Sequence, residues 1–219
     1  MSDNVCVIVG AGPGLSQAVA RRFGREGWTV VLLARRPEAL EGYVAELRAG
    51  GLTAHGIPTD AGDPAALAAA FAESAQRFGA PEVLVYNAAA VAPGAPSTLD
   101  PALVLDHLKI NVLGALVSAQ QVIPAMRQRG HGSILLTGGG LALHPMPQYA
   151  SLALGKAAMR NLAFSLAGEL APEGIHVATV TVSGFIQPGT RFDPDDIAQE
   201  YWRLHTQPRE EWETEVVYS

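Results

Sequence analysis

The 219-residue chain is 48% apolar and carries 15 basic against 21 acidic side chains, for a formal charge of −6 and an isoelectric point near 5.5. That much apolar material can bury one substantial core with little left over, so residues 1–219 are expected to form a single domain. The acidic balance argues against nucleic acid or an anionic membrane as partner. Residues 1–4 lack the features of a secretion signal, no uninterrupted apolar stretch approaches bilayer length, and a cytoplasmic protein is expected.

An apolar run, Val5–Val9, opens the chain and breaks into Gly10, Gly12 and Gly14, after which a helical pattern runs over residues 15–27 from Leu15. Strand, glycine turn and helix start are the parts of a cradle whose free backbone N–H groups meet a pyrophosphate. Cys6, the single cysteine, lies in this first strand and is expected to be a buried structural thiol. A second strand, Thr29–Ala34, ends in Arg35 and Arg36. An acid at this place holds a ribose hydroxyl of NAD, whereas arginine can hold a 2′-phosphate. The expected cofactor is therefore NADP(H), with NAD the less favoured choice.

Next come a helix over 37–49, a strand over 53–57 leading to Asp60, and an alanine-rich helix to Phe78 that Asp63 and Pro64 cap and start. A fourth strand over 82–86 ends in Asn87, Ala88 and Ala89. Residues 101–129 read as helix with a break before Asn111, and 133–137 as a fifth strand followed by three glycines that could turn with positive φ or present N–H groups. Residues 148–170 are expected to be helical, 175–182 a sixth strand, 194–206 a helix and 215–218 a short final strand. No His, Cys, Asp or Glu spacing suggests a metal site.

Strands that alternate with helices and read as continuous Val, Ile and Leu runs are covered on both faces, which predicts an α/β fold with a doubly wound parallel sheet, the Rossmann arrangement. Ligands then sit beyond the carboxyl ends of the strands. At this point the chain resembles the short-chain dehydrogenase/reductase family. Gly10, Gly14 and Leu15 match its nucleotide turn, Asp60 its adenine-side acid, and Asn87-Ala88-Ala89 its Asn-Ala-Gly segment. Asn111 and Lys156, the latter in Lys156-Ala157-Ala158, match its helix-borne asparagine and lysine.

The resemblance implies an oxidoreductase acting on the carbonyl of a small organic substrate, with Gly10, Gly12, Gly14, Leu15, Arg35, Arg36, Asp60, Asn87, Ala88, Lys156, Gly184 and Ile186 around the cofactor. It also implies an atypical member. The family's tyrosine falls at Leu152 and its serine at Gly139, neither of which has a side-chain proton to give. The expected catalytic set is then Asn111, Tyr149 and Lys156, with Tyr149 able to act if its helix begins only after it. Thr137 is the nearest hydroxyl to the missing serine, Ser151 is expected to be a cap or surface hydroxyl, and Ser16 to narrow the gap between helix and sheet. The alternative is a non-catalytic NADP(H)-binding or scaffolding protein of the same fold. A homodimer through the helices bearing Asn111 and Lys156 is expected, with a homotetramer as the other assembly. The substrate-side segment around 185–212 is short, and in it Arg191 could engage an anion.

Overall fold

The computed structural model describes residues 4–219, so the reading of the amino terminus rests partly on residues 1–3, which lie outside the described residues. Seven parallel strands form one sheet: β1 (Val5–Val9), β2 (Thr29–Ala34), β3 (Ala54–Pro58), β4 (Val83–Tyr86), β5 (Gly132–Thr137), β6 (Ile175–Val182) and β7 (Glu215–Tyr218). Their spatial order is β3-β2-β1-β4-β5-β6-β7. The chain starts in the middle, winds to one edge, then returns and winds to the other. That reversal between β1 and β4 opens the crevice in which such sheets take their ligands.

The helices are α1 (Leu15–Arg25), α2 (Pro37–Ala49), α3 (Pro64–Phe78), α4 (Pro101–Leu108), α5 (Gly114–Arg129), α6 (Ala150–Leu170) and α7 (Pro194–Thr206). Three of them begin the same way. Asp63, Asp100 and Asp193 each accept hydrogen bonds from backbone N–H groups of the first turn, and each precedes a proline whose missing N–H costs nothing there. One face of the sheet packs Val7, Val31, Leu84 and Ile134 against α3, α5 and α6, and the other packs Ile8, Leu32, Val85 and Val180 against α1, α2 and α7. Central strands are buried on both faces, which is why they lack polar alternation. Pro58 sits on the edge strand β3, where no neighbour needs its N–H. Cys6 is fully buried, and burial pushes its thiol pKa up, so it stays protonated and inert.

The break anticipated before Asn111 is instead a π-turn, Lys109–Leu113, that joins α4 to α5 without interruption. Widening the turn frees backbone carbonyls, and the Tyr86 hydroxyl donates to that of Ile110. Gly114 permits this approach, since a Cβ there would lie 2.2 Å from the tyrosine oxygen. The joined helix, Pro101–Arg129, is long and apolar enough by length and composition to cross a membrane, although Asp106, Lys109, Asn111 and Gln120 interrupt its apolar run. Here it packs on β4, α3 and α6 as one layer of the fold.

Candidate cofactor and active site

The glycine turn owes its shape to packing. Gly10 has φ +84°, and a Cβ on it would fall 2.4 Å from the backbone of Ala88, so only glycine fits. The N–H groups of Gly10 and Ala11 both donate to the Leu33 carbonyl at 2.9 and 3.0 Å, fastening the turn to β2. Ser16 donates to the Gly10 carbonyl at 2.8 Å and accepts from Asn87 Nδ2 at 2.7 Å. The serine therefore ties turn, helix and β4 together, and the Asn87 amide group is spent on that tie. Gly12 and Gly14 differ from Gly10: a Cβ on either would meet nothing within 4 Å. Open space above these two glycines, at the start of α1, suits a group that approaches the backbone closely.

A cleft of about 280 Å³ extends from this turn over the end of β2. It brings together six of the expected cofactor residues: Gly10, Arg35, Arg36, Asp60, Asn87 and Ala88. Gly12, Gly14, Leu15, Lys156, Gly184 and Ile186 lie outside its lining. Arg35 and Arg36 are exposed on its rim, and among the described residues neither guanidinium has a hydrogen bond or ion-pair partner. Asp60 accepts from the Gly62 N–H at 2.8 Å. Sequence reasoning missed Ala39, Tyr43, Thr59 and Ile110 in the lining. Ala39 and Tyr43 were findable, since they stand four apart on α2 and so share its inward face.

Across the sheet, Lys156 is buried on α6 and donates from Nζ to the Thr137 carbonyl at 2.6 Å. Burial without a carboxylate partner pushes its pKa down to about 8. Asn111 is fully buried in the π-turn and forms a two-way pair with Ala90, accepting from its N–H at 2.6 Å and donating to its carbonyl at 3.0 Å. It thereby fixes the segment after Asn87. It also packs on Gly155, where a Cβ would lie 2.8 Å from the amide.

The helix α6 begins at Ala150, with Tyr149 as the residue before it, φ −124° and ψ 36°. Tyr149 is thus outside the regular helix, and its backbone pairs with Gly94. Leu152 is half-buried one turn before Lys156. Gly139 has an extended φ of −170°, and a Cβ there would contact the Lys156 stem at 3.4 to 3.5 Å. None of the three glycines 138–140 takes a positive φ, so that reading of the triplet is corrected: Gly138 and Gly140 are small because Thr179, Thr181 and Ser183 crowd them. Thr137 does not replace the serine. Its hydroxyl lies 2.7 Å from that of Tyr201 on α7. Ser151 is neither cap nor surface, being fully buried and 2.9 Å from His107 Nδ1. Arg191, an anion candidate by sequence, donates its guanidinium to the Ser219 backbone oxygen. Gly184 is covered by the Phe192 ring, while Phe185 and Ile186 stand exposed.

Comparison with known proteins bears on this geometry. A family model described as short chain dehydrogenase matches residues 4–193. Dehydrogenase/reductase SDR family member 4 of Sus scrofa is 31% identical over 81% of this chain, which spans 64% of that protein's length. The 2,5-dichloro-2,5-cyclohexadiene-1,4-diol dehydrogenase LinX of Sphingobium indicum is 29% identical over 91% of this chain and 80% of its own. Among solved structures, a metagenomic short-chain oxidoreductase in complex with NADP is 28% identical, covers 99% of this chain and 97% of its own, and has a TM-score of 0.90. A short-chain dehydrogenase from Rhodopseudomonas palustris is 27% identical, with coverages of 99% and 98% and a TM-score of 0.89. A glycine turn shaped by Ala88, a sheet wound from its middle, a helix-borne lysine bonded to the end of β5 and a family match over most of the sequence lead to one conclusion: the chain belongs to the short-chain dehydrogenases.

Proposed function

We propose that this protein is an NADP(H)-dependent oxidoreductase that reduces the carbonyl of a small organic substrate at a site lacking the family's usual serine and tyrosine. The observation that carries the reading is the cleft at the end of β2, lined by Gly10 of the glycine turn and by two arginines whose guanidiniums have no partner among the described residues, with open space at Gly12 and Gly14. Those residues fit the cofactor. Gly10, Gly12, Gly14 and Leu15 would receive the pyrophosphate, Arg35 and Arg36 the 2′-phosphate, and Asp60 and Ala88 the adenosine half. Support also comes from the 28%-identical relative, whose structure is a complex with NADP.

Bound there, the cofactor supplies the hydride. The chain supplies the rest. Lys156 would hold the ribose hydroxyls with the ammonium protons left over from Thr137, Asn111 fixes the strand-end segment through Ala90, and Gly184 and Ile186 would border the nicotinamide side. The Tyr149 hydroxyl gives the proton to the carbonyl oxygen. A second reading, a cofactor-binding protein without turnover, draws on Leu152 and Gly139 and on the commitment of the Thr137 and Ser151 hydroxyls elsewhere.

Calorimetry with both cofactors tests the cradle. The unmodified protein should bind NADPH more tightly than NADH, and Arg35→Ala should weaken NADPH binding by roughly 1.5–3 kcal/mol while leaving NADH nearly unchanged. Equal affinity for the two cofactors sinks the assignment.

Two copies associate through the outer faces of α4, the π-turn and α6, where Leu105, Leu113 and Leu154 are exposed beside a groove lined by Ala102, Val112 and Ala158. Sedimentation should give a dimer for the unmodified protein and a monomer for Leu154→Asp. A monomeric parent would reject this interface.

A further inference from the structure

Three loops leave the sheet side by side beyond β4, β5 and β6, because those strands are parallel neighbours. They are also joined to each other. The Gly94 N–H donates to the Gln148 carbonyl at 2.9 Å, and Gly140 packs so closely on Ser183 that a Cβ would lie 2.9 Å from its Cα. Together they form the rim on the Lys156 side of the crevice, away from Arg35 and Arg36.

This rim has no formal charge. Residues 88–99, 138–152 and 183–190 contain no Asp, Glu, Lys or Arg, although the chain has 15 basic and 21 acidic side chains to place. The charges at its borders are all engaged. Asp100 caps α4, Asp193 caps α7 and accepts from the Gly189 N–H, and Arg191 donates to the Ser219 oxygen. Lys156 donates to the Thr137 carbonyl from a buried position. The rim instead presents large apolar side chains to solvent: Val91 is 58% exposed, Met146 42%, Phe185 81% and Ile186 39%. Tyr149 and His144 are its titratable groups.

From this we infer that the substrate is an uncharged, largely apolar carbonyl compound, an aryl or alicyclic ketone or aldehyde, and that carboxylate- or phosphate-bearing carbonyl compounds are excluded. A carboxylate entering this rim loses hydration and meets no exposed, uncommitted cation, because the Lys156 ammonium is buried against the Thr137 carbonyl and is assigned to the ribose hydroxyls, and Arg191 is held by the Ser219 oxygen. An apolar ring covers Val91, Met146 and Phe185 and gains by burying them with itself. The inference rests on the reductase reading for the reaction itself: hydride to the carbonyl carbon, a proton to its oxygen, and release of an alcohol and oxidised cofactor.

Matched probes test it with the NADPH-saturated protein: acetophenone against para-acetylbenzoate, and cyclohexanone against its ring carboxylate. Turnover is followed as NADPH oxidation and binding by calorimetry. The neutral member of each pair should be favoured about 100-fold in kcat/KM, and Phe185→Arg, a change at an exposed position, should narrow that ratio about tenfold by giving the acid a partner. Acids equal to or better than the neutral ketones overturn the inference. If neither member is reduced, the binding arm decides. Selective binding of the neutral probe upholds an apolar site and removes the reductase reading, whereas a complex that binds neither probe at millimolar concentration removes the inference.

Discussion

The family resemblance aligns its tyrosine with Leu152, and the proton donor proposed in its place is Tyr149. The hydroxyl is at 149, before α6 begins, and the position one turn ahead of Lys156 carries an isobutyl group. Because Tyr149 is paired to Gly94 through its backbone, its ring is carried on the loop junction and not on the helix face. Tyr149→Phe keeps ring and packing, so a proton-donor role predicts a roughly 10²- to 10⁴-fold fall in turnover with little change in cofactor affinity. A Phe variant at full rate would eliminate the role. The reciprocal change asks whether the surroundings remain organised for the chemistry. Gly139 has ordinary contact room for a Cβ against the Lys156 stem, so the double variant Gly139→Ser with Leu152→Tyr is sterically reasonable and should gain activity over the parent on the same ketones. Loss of both parent and gained activity in a folded, NADPH-binding double variant would favour the binding-protein reading.

At the scale of elements, what could be read in advance was whatever a short-range rule controls. Strand patterns located every strand to within a residue or two, and Asp63 with Pro64 located the start of α3, because cap and proline effects act within one turn; Asp100 and Asp193 cap α4 and α7 in the same way. The nucleotide turn and the two arginines were legible for the same reason. The π-turn at Lys109–Leu113 was not, since one extra residue per turn leaves composition unchanged and its stabilising partner, Tyr86, comes from a strand 24 residues away. Helix α6 was expected two residues too early, because the Gly94 pairing that holds Tyr149 outside it is a long-range contact. The hydroxyl of Ser151 was misread in the same manner, since its partner His107 lies 44 residues away, and the Tyr201 partner of Thr137, 64 residues away, was equally out of reach of the sequence. The cleft lining showed only its strand-end residues to the sequence, while Tyr43 and Ile110 enter it from helices.

Across the whole molecule, the late elements α7 and β7 close the sheet against the first helix, and that seam is where acid should act. Phe23 on α1, Trp28, and Trp202 and His205 on α7 form a cluster of edge-on and tilted rings with centroids 4.8 to 6.3 Å apart. His205 Nδ1 lies 2.9 Å from the Ser133 hydroxyl on β5. Burial, then the nearby imidazoles of His176 and His131, push the His205 pKa down from 6.5 to about 4. His176 stacks flat on Trp212 with both ring nitrogens 2.9 Å from carbonyls, and burial lowers its pKa as well. A histidine whose folded pKa lies below its unfolded value favours the neutral form on folding. Its contribution is therefore complete above the unfolded value near 6.5 and is lost progressively as pH falls toward the folded value, which for His205 is about 4. Protonating His205 should remove at most about 3 kcal/mol. The thermal midpoint should then fall on the order of 5–10 °C between about pH 7 and pH 4.5. His205→Gln, which retains a hydrogen-bonding group for Ser133 but cannot titrate, should be less stable than the parent at neutral pH and show a shallower loss on acidification. A midpoint constant over that range, or a variant whose acid slope equals the parent's, would show that this seam does not set the protein's acid sensitivity.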